Sequence, residues 1–78
     1  MIPLQDLRYG TRVCVLWRKD NQFSKREMTF LGLFRGFYRF RTSPSEPVLE
    51  LAACEDGTLR DKHYTVAVLG MVAVGGGQ

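Results

Sequence analysis

Met28-Thr29-Phe30-Leu31-Gly32-Leu33-Phe34-Arg35-Gly36-Phe37-Tyr38-Arg39-Phe40-Arg41 decides how this chain folds. Apolar and polar residues alternate through it with a period near two, and β-branched and aromatic side chains dominate, which is strand chemistry. The run is too long for one ordinary strand, and Gly32 and Gly36 interrupt it. Glycines inside a strand mark a bulge, a bend or a close backbone approach. A single curved strand passing from one sheet to another accounts for both the length and the glycines, and such strands close small barrels.

Upstream, Arg12-Val13-Cys14-Val15-Leu16-Trp17-Arg18 is a second strand signal, entered through the turn residues Tyr9-Gly10-Thr11. Val13, Val15 and Trp17 share one face, Cys14 and Leu16 the other. Two apolar faces imply a strand covered on both sides, or one that meets another chain. The intervening Lys19–Glu27 segment reads as a polar loop holding one aromatic, Phe23.

Downstream, Thr42–Pro47 is a loop by composition. Val48–Cys54 is the third strand, with Leu49, Leu51 and Ala53 inward. Glu55-Asp56-Gly57-Thr58 predicts a type I′ hairpin, since Asp-Gly supplies two positive φ angles, and it pairs the third strand with a fourth, Leu59–Val66. Residues 64–74 read as one long strand or as strand, 3₁₀ turn near Ala67-Val68-Leu69, and a short fifth strand Met71–Val74. The second reading is preferred, because Gly70 offers a break and a flat apolar strand of that length invites aggregation. The expected core is Val13, Val15, Trp17, Phe30, Phe34, Leu49, Leu51, Tyr64, Val66 and Leu69.

These elements predict an all-β fold, a small five-stranded antiparallel barrel over residues 1–74 with a flexible glycine-rich tail at 75–78. The arrangement resembles the SH3-like and Sm-like barrels. Tyr64-Thr65-Val66-Ala67-Val68-Leu69-Gly70-Met71-Val72 is further similar to the last strand, turn and strand of the plasmid-encoded type II dihydrofolate reductases, SH3-like chains that work as homotetramers. In that family a Gln-Ile-Tyr segment on the penultimate strand faces a shared pore and binds cofactor and folate. The corresponding triplet here is Lys62-His63-Tyr64, of which only the tyrosine matches, so the resemblance implies the fold and not the activity.

The chain of 78 residues is 45% hydrophobic and 24% charged, the balance of a folded globule. Its longest apolar run, Val66–Val74, is far short of the roughly 20 residues that span a bilayer. The first residues lack the basic and apolar regions of a secretory signal. The expectation is a cytoplasmic domain with no membrane partner. Net charge is +3, and Arg supplies eight of the eleven cations, which suits bidentate contacts to phosphate or carboxylate.

Catalytic inventory is sparse. His63 is the sole histidine, Cys14 and Cys54 stand at no metal-ligand spacing, and Glu55-Asp56 is explained by the turn. Both cysteines are expected to be reduced, buried thiols. No phosphate loop precedes a helix. The sequence therefore predicts no enzyme and no cofactor. Its best functional signal is the alternation of Arg35, Phe37, Arg39 and Arg41 on one strand face, with Phe34, Tyr38 and Phe40 on the other. Arginines bracketing an exposed ring suit single-stranded nucleic acid, guanidinium on phosphate and ring under base; the same stripe also arises as the solvated side of a barrel strand. The expectation is a binding module for an anionic partner, nucleic acid first. A protein-interaction module, such as an accessory factor of a mobile element or phage meeting an acidic protein surface, is the alternative, and a reductase like the type II enzymes is a third. Apolar surface at Cys14, Leu16 and Val66–Val74 predicts a homo-oligomer, most simply a two-fold dimer.

Overall fold

The computed structural model describes residues 1–72. Six strands form one closed antiparallel barrel in chain order: β1 Arg12–Lys19, β2 Gln22–Phe34, β3 Phe37–Arg41, β4 Leu49–Ala53, β5 Leu59–Arg60 and β6 Thr65–Met71. A single 3₁₀ turn, Leu4–Asp6, precedes them. The all-β barrel matches the expected fold class, with six strands in place of five. None of the described residues forms a helix long and apolar enough to cross a membrane.

The closing strand is β2, not the Met28–Arg41 segment. Its first part, Gln22–Thr29, pairs with β1, and its last part, Thr29–Phe34, pairs with β3. Thr29 opposes both Arg12 and Arg41. There the Arg12 guanidinium donates to Thr29 Oγ1 at 3.1 Å and to the Thr42 carbonyl at 2.8 Å, tying three elements at the crossing point. The expected loop at Lys19–Glu27 is therefore strand, reversed at Asp20-Asn21 with Asp20 at φ 56°. Aspartate tolerates that left-handed geometry better than most residues. Gln22–Glu27 is exposed on both faces, which is why its composition reads as a loop.

Met28–Arg41 is two strands, because Arg35 and Gly36 adopt φ 52° and 84°, the pair of positive angles that a type I′ turn demands. Its other glycine makes a bulge: the β2–β3 register shifts between Phe30 and Leu33, with Gly32 at φ 93°. The expected fourth strand also divides. β5 has two residues, and Asp61–Tyr64 is a turn in which the Asp61 N–H donates to the Tyr64 carbonyl at 3.0 Å. The hairpin at Asp56-Gly57 forms with a different loop. Only Gly57 has positive φ, 88°, and the Gly57 N–H reaches the Cys54 carbonyl while the Cys54 N–H reaches that of Thr58. This is a three-residue loop ending in a left-handed glycine, so Leu59 opposes Ala53 and not Cys54.

β6 runs unbroken through the expected 3₁₀ turn. Its irregularity is a bulge against β1, where Val15 opposes Val68 and Cys14 opposes Gly70, leaving Leu69 unmatched. The proposed fifth strand Met71–Val74 is thus partly the end of β6; residues 73 and 74, and the 75–78 tail, lie outside the described residues.

Eleven side chains fill the barrel: Val13, Val15, Trp17, Phe30, Leu51 and Val66 as expected, joined by Leu7, Met28, Phe40, Leu59 and Val68. Leu49 and Tyr64 pack partly buried against them. Phe34 and Leu69 depart from expectation, the first exposed and the second half-buried. No polar or charged residue among those described is buried.

Candidate functional site

The β2–β3 turn gathers the residues singled out by sequence, in a rearranged form. Phe37, Arg39 and Arg41 alternate with Tyr38 and the buried Phe40, so they project outward from β3. Arg35 leaves the strand face, since it occupies the first corner of the turn. Phe34, assigned inward by simple parity, stands outside. The bulge after Phe30 inserts one residue and flips every side chain beyond it, so Phe34 directly opposes Phe37 on the outer face.

The two rings are 47% and 43% exposed, substantial for phenylalanine. The Arg35 and Arg39 guanidinium carbons each lie 5.2 Å from the Phe34 ring centroid, within cation–π range. Arg39 Nε also stands 3.4 Å from Glu50 Oε2 on β4, the residue it opposes in register. Arg41 is set apart from this group. It opposes Thr29, and its Nη1 donates to the Pro44 carbonyl at 3.5 Å.

Beside Phe37 the surface sinks into an open depression of about 460 Å³ whose walls include Glu50, Arg60 and Lys62, with Ala52 among its lining residues. Sequence reading did not bring Arg60 or Lys62 to this site, because their position follows from a two-residue β5 that carries no period of its own. The signal available for Phe34 was Arg35-Gly36 read as a two-residue turn, which makes its flanking phenylalanines cross-strand partners.

A second aromatic group lies at the other end of β1. Trp17 stacks on Tyr64 with centroids 3.9 Å apart, and the Arg26 guanidinium carbon caps Trp17 at 4.2 Å. Burial, reinforced by the Asp61 carboxylate, raises the Tyr64 hydroxyl pKa above its ordinary 10.0. Lys62 and His63 are exposed in the turn before β6, not on a strand, and the His63 N–H donates to Asp61 Oδ1 at 2.8 Å. Of the reductase-like triplet only Tyr64 is built into the barrel wall. Cys14 and Cys54 are free thiols, half-buried and not fully buried as expected. Among the described residues no three His, Cys, Asp or Glu side chains come together as a metal site.

No protein-family model, curated protein or solved structure matches this chain.

Proposed function

We propose that this barrel, SH3-like in class, is a non-enzymatic module that binds single-stranded nucleic acid through the β2–β3 turn. One observation carries the reading: Phe34 and Phe37 stand exposed as partners, and two guanidinium groups lie over the Phe34 ring. Exposed rings cost hydration and contribute nothing to this core, whereas a base stacked on a ring is worth roughly 1–3 kcal/mol. Arg35 and Arg39 bring cationic groups to these rings, and Arg rather than Lys offers both a charge and a plane on which a base can stack.

Anisotropy of labelled single-stranded RNA and DNA at two salt concentrations tests it. Affinity should fall with salt by a log–log slope of roughly 0.7 per neutralised phosphate. Arg39→Ala should lower that slope, and Phe37→Ala should weaken binding about thirtyfold, near the middle of the range for one stacked base. Binding indifferent to salt would favour the protein-interaction reading, and NADPH-dependent turnover of dihydrofolate would replace both with an enzyme.

A separate face supports self-association. Cys14, Leu16, Ala67 and Leu69, on β1 and β6, are half-buried in the single chain. The proposed occupant of this face is a second copy of the chain, in a two-fold dimer.

A further inference from the structure

β2 is longer than its neighbours cover. Thr29–Phe34 pairs with β3, and Gln22–Thr29 pairs with β1, so Gln22–Met28 has a strand on one side only. The pairing also fixes which way its backbone groups point. The Arg12 carbonyl accepts from the Val72 N–H on the β6 side, so in β1 it is Val13, Val15, Trp17 and Lys19 that bond to β2. Their partners Met28, Arg26, Ser24 and Gln22 spend their N–H and C=O groups on β1. Those of Phe23, Lys25 and Glu27 point the other way. Among the described residues, no strand and no turn or loop backbone bond meets these three. Alternating donors and acceptors therefore stand open along one edge of an otherwise closed barrel, at intervals of about 7 Å.

The surroundings of this edge are cationic. Val15, Trp17 and Lys19 oppose Arg26, Ser24 and Gln22, so these side chains continue the inner face of the barrel past its core. There the surface opens into a depression of about 270 Å³ lined by Trp17, Lys19, Gln22, Phe23, Ser24 and Arg26, none of them an acid. Lys25 projects from the opposite face, between Glu27 and the 62% exposed Phe23.

The two ion pairs found among the described residues, Arg12–Glu27 and Arg39–Glu50, use none of Lys19, Lys25 or Arg26. Both acids of the β1–β2 hairpin are committed elsewhere. Glu27 stands 3.7 Å from Arg12 Nε, and Asp20 lines a separate depression with Arg18 and Lys62.

We propose that the open edge of β2 receives an extended acidic peptide of another protein, added as an antiparallel strand. The peptide carries adjacent carboxylates opposite Arg26 and Lys25, one on each face, and an apolar side chain opposite Phe23. A nucleic-acid strand fits this edge poorly, because its phosphates only accept hydrogen bonds and the carbonyls of Phe23, Lys25 and Glu27 need donors. A second copy also fits poorly, since its matching edge brings Lys25 and Arg26 again and an acid already held by Arg12. Lysine on an edge discourages indiscriminate pairing, and here it leaves the edge to a strand of opposite charge. The added strand lies beyond β2, off the β1 and β6 residues assigned to the second copy. This site goes beyond the nucleic-acid reading of the β2–β3 turn and does not depend on it.

Amide hydrogen exchange, read residue by residue by NMR on the full chain, tests it. In the free protein the N–H groups of Phe23, Lys25 and Glu27 should exchange at least about tenfold faster than those of Ser24 and Arg26. The decapeptide Ser-Thr-Thr-Glu-Glu-Thr-Phe-Thr-Ser-Ser should slow the fast set. N-methyl groups on its second glutamate and its phenylalanine, whose N–H groups face β2, should abolish that protection. N-methyl groups on the first glutamate and the following threonine should spare it. Lys25→Glu should weaken the peptide about tenfold, one opposed pair turned from attraction to repulsion, and a peptide with lysine as its second acidic position should recover the loss. Retained protection of Ser24 and Arg26 reports that the variant is folded. Fast-set groups already protected in the free chain, or no protection by about 1 mM peptide, overturn the proposal. Equal loss from both methylation patterns would show charge attraction without strand addition and overturns it too. Protection that grows with protein concentration alone would give the edge to a second copy, and protection by an oligouridylate would give it to nucleic acid; either refutes the peptide.

Discussion

Arg35 is the residue at which stability and function should pull apart. It occupies a left-handed conformation at φ 52°, which costs an L-residue other than glycine, asparagine or aspartate roughly 1–2 kcal/mol. Part of that is returned by its guanidinium over the Phe34 ring at 5.2 Å, worth about 0.5–1 kcal/mol at an exposed site. Asparagine before glycine is the preferred type I′ pair. Arg35→Asn relieves the strain and forfeits the ring contact, for a net gain of about 0.5 kcal/mol. In a domain of this size that gain raises the melting temperature by about 2–4 °C. The same variant should lose affinity for single strands and lower the salt slope by roughly 0.7, one phosphate contact. Arg35→Lys serves as the control, keeping the charge and the strain but not the planar group. Thermal melts by circular dichroism and anisotropy titrations on the same preparations read both effects. A melting temperature that falls in Arg35→Asn would show that the contact with Phe34 outweighs the strain. Unchanged affinity would remove Arg35 from the site.

Gly57→Ala should lower the melting temperature by about 4–8 °C, because its φ is 88° and an added Cβ would also meet Met1 Cε at 3.3 Å; no loss would refute the left-handed assignment. Tyr64 holds its proton more tightly folded than unfolded, so its contribution to stability is complete below pH 10.0 and is lost as pH rises through its elevated pKa. Denaturation midpoints should fall in that alkaline range, and Tyr64→Phe should flatten the fall. Leu16→Glu should shift light scattering from dimer to monomer without changing the circular dichroism spectrum; a wild-type monomer at high micromolar concentration would refute the interface.

The inner surface of β1 was legible because it alternates strictly. Val13, Val15 and Trp17 are all core residues, and a period of two is a strong signal wherever one face is buried. The same logic failed on β2 for physical reasons. Gln22–Glu27 extends past the core with both faces exposed, so no hydrophobic alternation records it as a strand. Arginine is not a turn-forming residue, and Arg35-Gly36 flanked by aromatics therefore reads as strand interior. Gly32 and Gly36 look alike in sequence but perform different tasks, a bulge and a turn corner. Asp56-Gly57 was correctly read as a reversal, but the loop is one residue longer than a type I′ turn and the pairing moves by one place. Of the candidate site, alternation alone indicates Phe37 and Arg39, whereas Arg41, on the same face, lies apart from it. Phe34 joins them through the bulge and turn between β2 and β3, and Arg60 and Lys62 through the short pairing of β4 with β5.

Much of the proposed surface depends on the length of β2 and on one residue inserted into it. A strand confined to the Gln22–Thr29 pairing with β1 would leave β3 unattached on that side, and the barrel would be open. Because β2 continues to Phe34, it joins β1 to β3 and sets Phe34 opposite Phe37. The bulge between Phe30 and Leu33 decides what the far end offers. Without it, strand parity would exchange the faces of Phe34 and Leu33, and Phe34 would no longer share an outer face with Phe37. This end of β2 runs past the core, Leu33 being 60% exposed, so the bulge sets which ring stands beside Phe37 and not how the interior is filled. A bulge against β1 also leaves Leu69 unmatched on β6, on the side of the barrel assigned to the second copy. Thus the irregularities that obscured strand parity in the sequence lie at the two surfaces to which binding and self-association are assigned.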